Sequence, residues 1–232
     1  MGDFEDRSNP MKRSEINNLM RSALDFFEVH KFYLPVWSTY SAPDWKGTYE
    51  THSEIIDNVL GWDLTDFGSD DFPKRGLLLF TIRNGNLLKD KKSYCEKIMI
   101  AGVGQETPMH FHRLKMEDII NRGGGILEIE FYQSNPDGSF SDKDFTVKID
   151  GVVKTLQPGA LVRLMPGQSV CMESGVYHRF YGVEAPVMVG EVSTVNDDTN
   201  DNFFYEEIGR FPQIEEDEVP LYVLSSEYSQ YL

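Results

Sequence analysis

The sequence predicts an all-β protein, an antiparallel sandwich or jelly-roll β-barrel with an N-terminal helical extension. Three observations carry that prediction. From residue 76 onward, eight short runs rich in β-branched and aromatic residues follow one another. Glycine, proline or aspartate turns separate them, and no helical period intervenes, which argues against a parallel sheet. Before residue 76 one amphipathic helical period is clear.

The first ten residues, MGDFEDRSNP, are acidic and polar and are expected to form a loose tail. They contain no apolar run for a signal peptide, and Asp6 stands where an N-myristoylation signal wants Ser or Thr. Ser14 is placed to cap a helix in which Ile16, Leu19, Met20, Ala23, Leu24 and Phe27 recur at helical spacing. The following stretch, FYLPVWSTYSAPDWKGTYE, mixes aromatics with proline and glycine and predicts an extended loop or arm. A second helix is expected from Glu54 toward Leu60. Residues 11–75 together read as an arm packed on the barrel, and residues 76–232 as the barrel with its C-terminal segment.

The eight predicted strands are GLLLFTIR, EKIMIAG, ILEIEFYQ, the hairpin FTVKIDGVVKTL, ALVRLMPG, SVCMES, HRFYGV and VMVGEVS. Asp150-Gly151 between alternating runs marks the hairpin turn. The acidic and aromatic end, QIEEDEVPLYVLSSEYSQYL, is expected to close on the barrel or on a second subunit.

Composition narrows the function classes. The chain of 232 residues carries 22 Lys and Arg against 38 Asp and Glu, a net charge of −16. Such a surface repels phosphate backbones and anionic lipid, so neither nucleic acid nor membrane is an expected partner. Two cysteines, Cys95 and Cys171, are too few for a disulfide scaffold and fit free thiols in a reducing cytoplasm. No segment reaches membrane-spanning length.

The chemistry concentrates in GQETPMHFHRLKMEDIINRGGG, residues 104–125. In a strand, residues two apart point to one face, so His110 and His112 aim two imidazoles into one space, their backbones about 7 Å apart. Glu117 follows after a gap that lets the chain turn and return, and its carboxylate would add an oxygen donor and offset part of a divalent charge. His178 opens a strand that barrel topology can bring opposite the first pair. Three neutral imidazoles and one carboxylate leave a bound divalent cation with a charge of about +1, still a Lewis acid. Of the remaining histidines, His30 and His52 are expected to be structural or on the surface.

Spacing then identifies a superfamily. Gly104-x5-His110-x-His112-x4-Glu117-x6-Gly124 matches the first cupin motif at every fixed position. Gly167-x5-Glu173-x-Gly175-x2-His178-x3-Gly182 resembles the second, with Glu173 where proline is usual and Gly182 where asparagine is usual. The fold expected on this likeness is a cupin antiparallel β-barrel. More narrowly, the chain resembles the D-lyxose ketol-isomerase family through MKRSEINNLM, DNVLGWDLTDFGSDDFPKRGLLLFTIRNG and HFHRLKMEDIINRGGG. That resemblance implies that His110, His112, Glu117 and His178 carry manganese. It also implies a reaction interconverting D-lyxose and D-xylulose, with D-mannose and D-fructose as a second pair.

Such a reaction moves one hydrogen between C1 and C2 and must stabilise an enediolate. Four protein ligands on a six-coordinate ion leave two positions for O1 and O2, so manganese, cobalt or iron suits the set better than zinc. Lys115, between His112 and Glu117, is a candidate for proton transfer, its pKa lowered by the nearby cation. Glu191 and Glu206 are candidate bases, and Arg210 is a candidate for holding a sugar hydroxyl or an acidic partner. The pair favoured is Glu206 with Lys115; a hydride shift would need neither. RGGG, residues 122–125, reads as a tight turn feeding a strand in preference to a phosphate cradle. The aromatics Phe32, Tyr33, Trp37, Tyr40 and Trp45, and Phe203, Phe204 and Tyr205, read as core or interface before sugar lining. An iron-dependent dioxygenase and a non-catalytic sugar-binding protein are the competing functions, and a homodimer is the expected assembly.

Overall fold

The computed structural model describes residues 10–89, 91–198, 200–209 and 213–232. In chain order the elements begin with strand β1 (Met11–Lys12), helix α1 (Arg13–Val29), a 3-10 turn at Val36–Thr39, and helices α2 (Ala42–Trp45) and α3 (Tyr49–Asp57). Then come β2 (Gly61–Thr65), β3 (Leu77–Arg83), β4 (Tyr94–Ala101), β5 (His110–His112), β6 (Glu117–Gln133), β7 (Phe145–Ile149) and β8 (Val152–Leu156). The last elements are β9 (Ala160–Leu164), β10 (Ser169–Met172), β11 (Val176–Thr194), β12 (Asn202–Phe204), β13 (Ile214–Glu215) and a 3-10 turn at Ser225–Gln230.

The expected antiparallel β architecture with a helical extension is observed. Two long strands organise it. β6 and β11 pair along most of their lengths, and each serves two layers. Val187–Thr194 of β11 pairs with β4, while His178 nearer its start pairs with β5. In β6, Glu117–Ile120 pairs with β10 and Leu127–Phe131 with β9. One layer therefore runs β2-β3-β4-β11-β6-β10-β7-β8, and the other carries β12, β5 and β9 on the remaining edges of the same two strands.

The bend between layers falls where the register of β6 and β11 slips, between Val183 and Val187. Here RGGG differs from expectation. It is not a turn before a strand but the interior of one continuous strand. Gly124 has φ +94°, and a Cβ there would lie 2.1 Å from the carbonyl oxygen of Pro186, so the two backbones approach too closely for any side chain. HRFYGV and VMVGEVS likewise prove to be halves of β11. The hairpin at Asp150-Gly151 is as expected, with positive φ at both residues (48° and 78°).

The face of the first layer turned away from the second is covered by α1, which buries Ile16, Met20, Ala23 and Phe27 against Trp62, Leu64, Leu78, Phe80 and Ile98. Lys12 takes the N-cap position expected of Ser14, its backbone N–H reaching Glu15 at 3.1 Å. Ser14 lies in the first turn and donates to Asp217 instead. The second helix begins earlier than expected, at Tyr49, and ends at Asp57. The aromatic arm is not extended throughout: Trp45 is buried in the 36–45 turns and packs with Trp37, Tyr40, Val223 and Tyr228. Of the rings read as core or interface, Trp45 is core and Phe32, Trp37 and Tyr40 are half-buried, but Tyr33 is exposed; His52 meets Tyr40 and Trp45 at the rim. Among the described residues no helix is long and apolar enough to cross a membrane.

A second core, built on Ile119, Leu127, Ile129, Phe131, Leu164, Val170, Phe180 and Val189, fills the space between the layers. Alternation along β4 shows how polar groups enter that space. Met99 and Ala101 join this inner core and Ile98 faces α1, so Lys97, two residues before Met99, also points inward.

Candidate metal centre

Strand β5 is three residues long, and its alternation decides what it presents. Phe111 turns outward onto Tyr177 and Phe203, with ring centroids 4.7 and 4.9 Å away. His110 and His112 turn inward. Antiparallel pairing sets His178 of β11 directly against His110, and the two rings lie 4.3 Å apart. The imidazole nitrogens of His110, His112 and His178 that could bind an ion lie within 4.8 Å of one another.

Glu117 arrives through a turn pinned by one buried carboxylate. Asp201 accepts the backbone N–H of Leu114 on Oδ1 at 2.7 Å and that of Lys115 on Oδ2 at 2.9 Å. The chain reverses there, and Glu117 opens β6 with its side chain inside. Its Oε1 lies 3.3 Å from Nε2 of His112 and 3.1 Å from Nε2 of His178, yet it is buried with no hydrogen-bond partner. A carboxylate oxygen left so, facing lone-pair nitrogens, is the arrangement a cation would complete.

The rings are prepared for that role. Nδ1 of His110 lies 2.8 Å from the carbonyl of Pro108, and Nδ1 of His178 lies 3.1 Å from that of Val176. With Nδ1 as the donor, each Nε2 keeps its lone pair for the centre. Burial, aided by the neighbouring rings, holds His110 well below the ordinary imidazole range, and burial also lowers His112, Glu117 opposing it in part. Neutral imidazole is the ligating form. His110, His112 and His178 therefore converge, Glu117 adjoins two of them, and the four fit a divalent cation by donor type and burial.

Lys115 is buried beside them. Its Nζ lies 2.9 Å from Glu117 Oε2, 2.9 Å from Glu191 Oε1 and 3.3 Å from Asn196 Oδ1, which engages all three ammonium protons. Burial alone would lower its pKa, but Glu117, Glu191 and Asp198 outweigh burial and raise it. Burial would raise Glu191, and Lys115 and Lys97 overcome it, so this carboxylate stays ionised. Glu117 is held well below the usual range by Lys115 and the imidazoles against the same cost of burial.

A cavity opens above these groups, enclosing about 720 Å³ when counted out into the solvent at its mouth. Glu191 lines it; Glu206 does not. The Glu206 side chain is 63% exposed and pairs with Arg75 at 3.2 Å. Arg210 lies outside the described residues. Of the second aromatic cluster, Phe204 lines the cavity with its ring 5.3 Å from His110, whereas Phe203 packs half-buried on Phe111 and Tyr205 is exposed.

Several lining residues were not singled out from the sequence: Lys97, Asp63, Asp198 and Asn202. The clue for Lys97 was a lysine in mid-strand within EKIMIAG, and for Asp63 an aspartate between Trp62 and Leu64. Both are charges at inward positions of apolar strands. Asp198 and Asn202 carried no such mark, since they follow a loop rich in similar residues.

Comparison with known proteins gives the family. Residues 11–228 match the model of a family described as D-lyxose isomerase. A D-lyxose/D-mannose isomerase of Serratia proteamaculans is 43% identical over 227 residues, spanning 96% of this chain and all of that protein. One from Escherichia coli O157:H7 is 43% identical over 226 residues, spanning 95% and all. Among solved structures, the L-ribose isomerase of Cellulomonas parahominis aligns with a TM-score of 0.61 at 18% identity, covering 89% of this chain and 99% of that one. The L-ribose isomerase of Acinetobacter sp. DL28 in complex with L-ribose gives 0.61 at 18% identity, with 90% and 99% covered. At such identity these structures speak to the fold.

Proposed function

The chain belongs to the D-lyxose isomerase family, and on that premise we propose that it interconverts D-lyxose and D-xylulose, and D-mannose and D-fructose, using a divalent cation held by His110, His112, Glu117 and His178. It is a sugar isomerase of the aldose–ketose class. The observation that carries the metal-dependent reading is Glu117 Oε1, buried and unpartnered while facing two imidazole nitrogens at 3.1 and 3.3 Å. Manganese is the ion proposed, with cobalt or iron as replacements.

The barrier lies in the weak acidity of the C–H bond next to the carbonyl. A bound cation supplies Lewis acidity that polarises the sugar carbonyl and eases formation of an enediolate. Glu191 is the base best placed in the cavity. It would take the proton from C2 of the aldose and return it to C1, while the O1 oxygen gains a proton and the C2 hydroxyl gives one up. Lys115 would act by position: one ammonium holds Glu117 and Glu191 in a fixed relation. Lys97 supports the same carboxylate at 3.7 Å and donates to Asn196 at 2.8 Å. The apolar side chains of Phe67, Phe180 and Phe204 limit water around the reacting carbons. We extend the proposal to a cytoplasmic homodimer, for which the exposed edge strand β8 offers unpaired backbone groups.

The test is to strip the protein of metal, incubate it with D-lyxose, D-mannose or D-ribose, and add Mn²⁺, Co²⁺, Fe²⁺ or Zn²⁺ in turn. Ketose from D-lyxose with Mn²⁺ and none without it is the expected result. Equal turnover in the stripped protein would remove the cation from the mechanism.

A further inference from the structure

Two of the three imidazoles have a visible partner for the nitrogen turned away from the centre; His112 has none. Its Nδ1 is buried and makes no hydrogen bond. A second buried atom without a partner is Oδ1 of Asn202. One is a nitrogen that must carry a proton if Nε2 is to bind a cation, and the other is an acceptor.

Topology sets the two side chains side by side. In the antiparallel pairing of β12 with β5, Asn202 is opposite His112, Phe203 opposite Phe111 and Phe204 opposite His110. Phe203 and Phe111 face away from the cavity together, so Asn202 and His112 share the inward face, and both line the cavity. Directly opposed residues of such a pair have Cβ atoms about 4.5–5.5 Å apart, within reach of an amide and an imidazole. The amide is already oriented: Nδ2 of Asn202 donates to Oδ1 of Asp198 at 3.3 Å, so its carbonyl oxygen is the end left over. The two unpartnered atoms are not hydrogen-bonded to each other in the structure, so the contact closes by a small rotation of either side chain.

We propose that Asn202 is the positioning residue of His112, its side-chain carbonyl receiving Nδ1–H and thereby fixing Nε2 toward the metal centre. This rests on the metal-dependent reading above. Asn202 then does for His112 what the carbonyls of Pro108 and Val176 do for His110 and His178. A backbone carbonyl is always present; an asparagine is a choice of side chain, so this one ligand is adjustable by substitution. Removing an outer partner of a ligating histidine weakens metal binding by about 10–100-fold in general.

The experiment uses full-length protein with ¹⁵N-labelled histidine, loaded with diamagnetic Zn²⁺, and follows ring N–H protons by long-range ¹H–¹⁵N correlation. The Zn²⁺ Kd is measured in parallel by chelator competition. In Asn202→Ala the His112 N–H is expected to move upfield and exchange with water at least about tenfold faster, while those of His110 and His178 stay in place. The Zn²⁺ Kd should weaken about tenfold. Asn202→Asp, which keeps an acceptor oxygen, should retain the His112 resonance and most of the affinity. Asn202→Val, suited to a strand and lacking the acceptor, replaces the alanine variant if that chain does not fold. An unchanged His112 N–H and Kd in Asn202→Ala would overturn the proposal, as would equal loss in Asn202→Asp and Asn202→Ala, which marks a merely structural role. Wild-type protein that binds no Zn²⁺ at these histidines would instead overturn the metal reading itself, before any variant is compared.

Discussion

The ammonium of Lys115 lies 2.9 Å from Oε2 of Glu117, which leaves Oε1 of the same carboxylate to His112 and His178. One oxygen is held by a fixed cation of the protein and the other is aimed at the candidate metal. Lys115 also holds Glu191 at 2.9 Å. Its removal strands two buried carboxylates, a change that usually costs about 3–5 kcal/mol per broken pair. Lys115→Met is therefore expected to lower the urea-unfolding free energy by about 3 kcal/mol or more. Wild-type stability in that variant would show that the ammonium does not hold the site together.

Metal removal should register in stability as well as in activity. A ligand present at 100 times its Kd stabilises the native state by about 2.7 kcal/mol, which for a chain of this size is a rise in Tm of about 5–10 °C. Adding Mn²⁺ to stripped wild-type protein is expected to produce that rise, followed by differential scanning calorimetry. His112→Ala should show little of it, along with loss of bound metal and of isomerisation. An equal rise in both proteins would mean that the ion binds elsewhere.

Much of this site was legible because strand alternation and motif spacing are local. His110 and His112 share a face whatever the rest of the chain does, and the spacing to Glu117 and Gly124 marked the same segment. His178 was legible only through the second motif, since its approach to His110 depends on the pairing of β5 with β11, which no local pattern reports. Glu191 and Glu206 looked alike in sequence, each an acid in an apolar context. What separates them is burial: Glu191 comes from the inward face of a central strand and Glu206 from an exposed segment beside Arg75. The strands β2 and β12 were missed because they are short and carry charged or aromatic residues where alternation is expected. RGGG misled for a related reason: glycines that let one strand bend into two layers have the same composition as a turn.

That bend gives a stability prediction with an internal control. A side chain at Gly124 must adopt φ +94° and meet the Pro186 carbonyl oxygen at 2.1 Å. Gly151, in the hairpin turn, has φ +78° with nothing within 4 Å of an added Cβ. Gly151→Ala should cost about 1–2 kcal/mol, the backbone penalty alone. Gly124→Ala should cost more than about 3 kcal/mol, because strain and the clash at the layer bend add. Equal costs in denaturant titrations would show that β6 and β11 can separate there freely.

The thiols give a pH prediction. Burial pushes Cys95 up to about 12, and burial with a hydrogen bond to Asp118 pushes Cys171 up to about 11. At pH 8 neither free thiol should react with a disulfide reagent on the timescale that labels the urea-unfolded chain. Because the folded values are raised, this contribution to stability is complete below the unfolded thiol range near 8.5 and is lost as pH rises toward 12. Rapid labelling at Cys95 in native protein at pH 8 would contradict its burial.

The two candidate bases are separable by one pair of substitutions. Glu191 is buried at the cavity wall, kept ionised by Lys115 and Lys97, and lines the same cavity as the imidazoles. Glu206 is mostly exposed and spends its charge on Arg75. General base catalysis contributes about 10²–10⁴-fold to rate, so Glu191→Gln should lower kcat for D-lyxose by at least about a hundredfold while metal content is retained. Glu206→Gln is expected to stay within about twofold of wild type, because an exposed ion pair contributes little. If Glu206→Gln instead suffers the large loss, the 202–209 segment must close over the cavity during turnover. If both variants keep full activity, hydrogen moves between C1 and C2 without a carboxylate base, as in a direct hydride shift, and solvent deuterium would then fail to appear at C1 of the product.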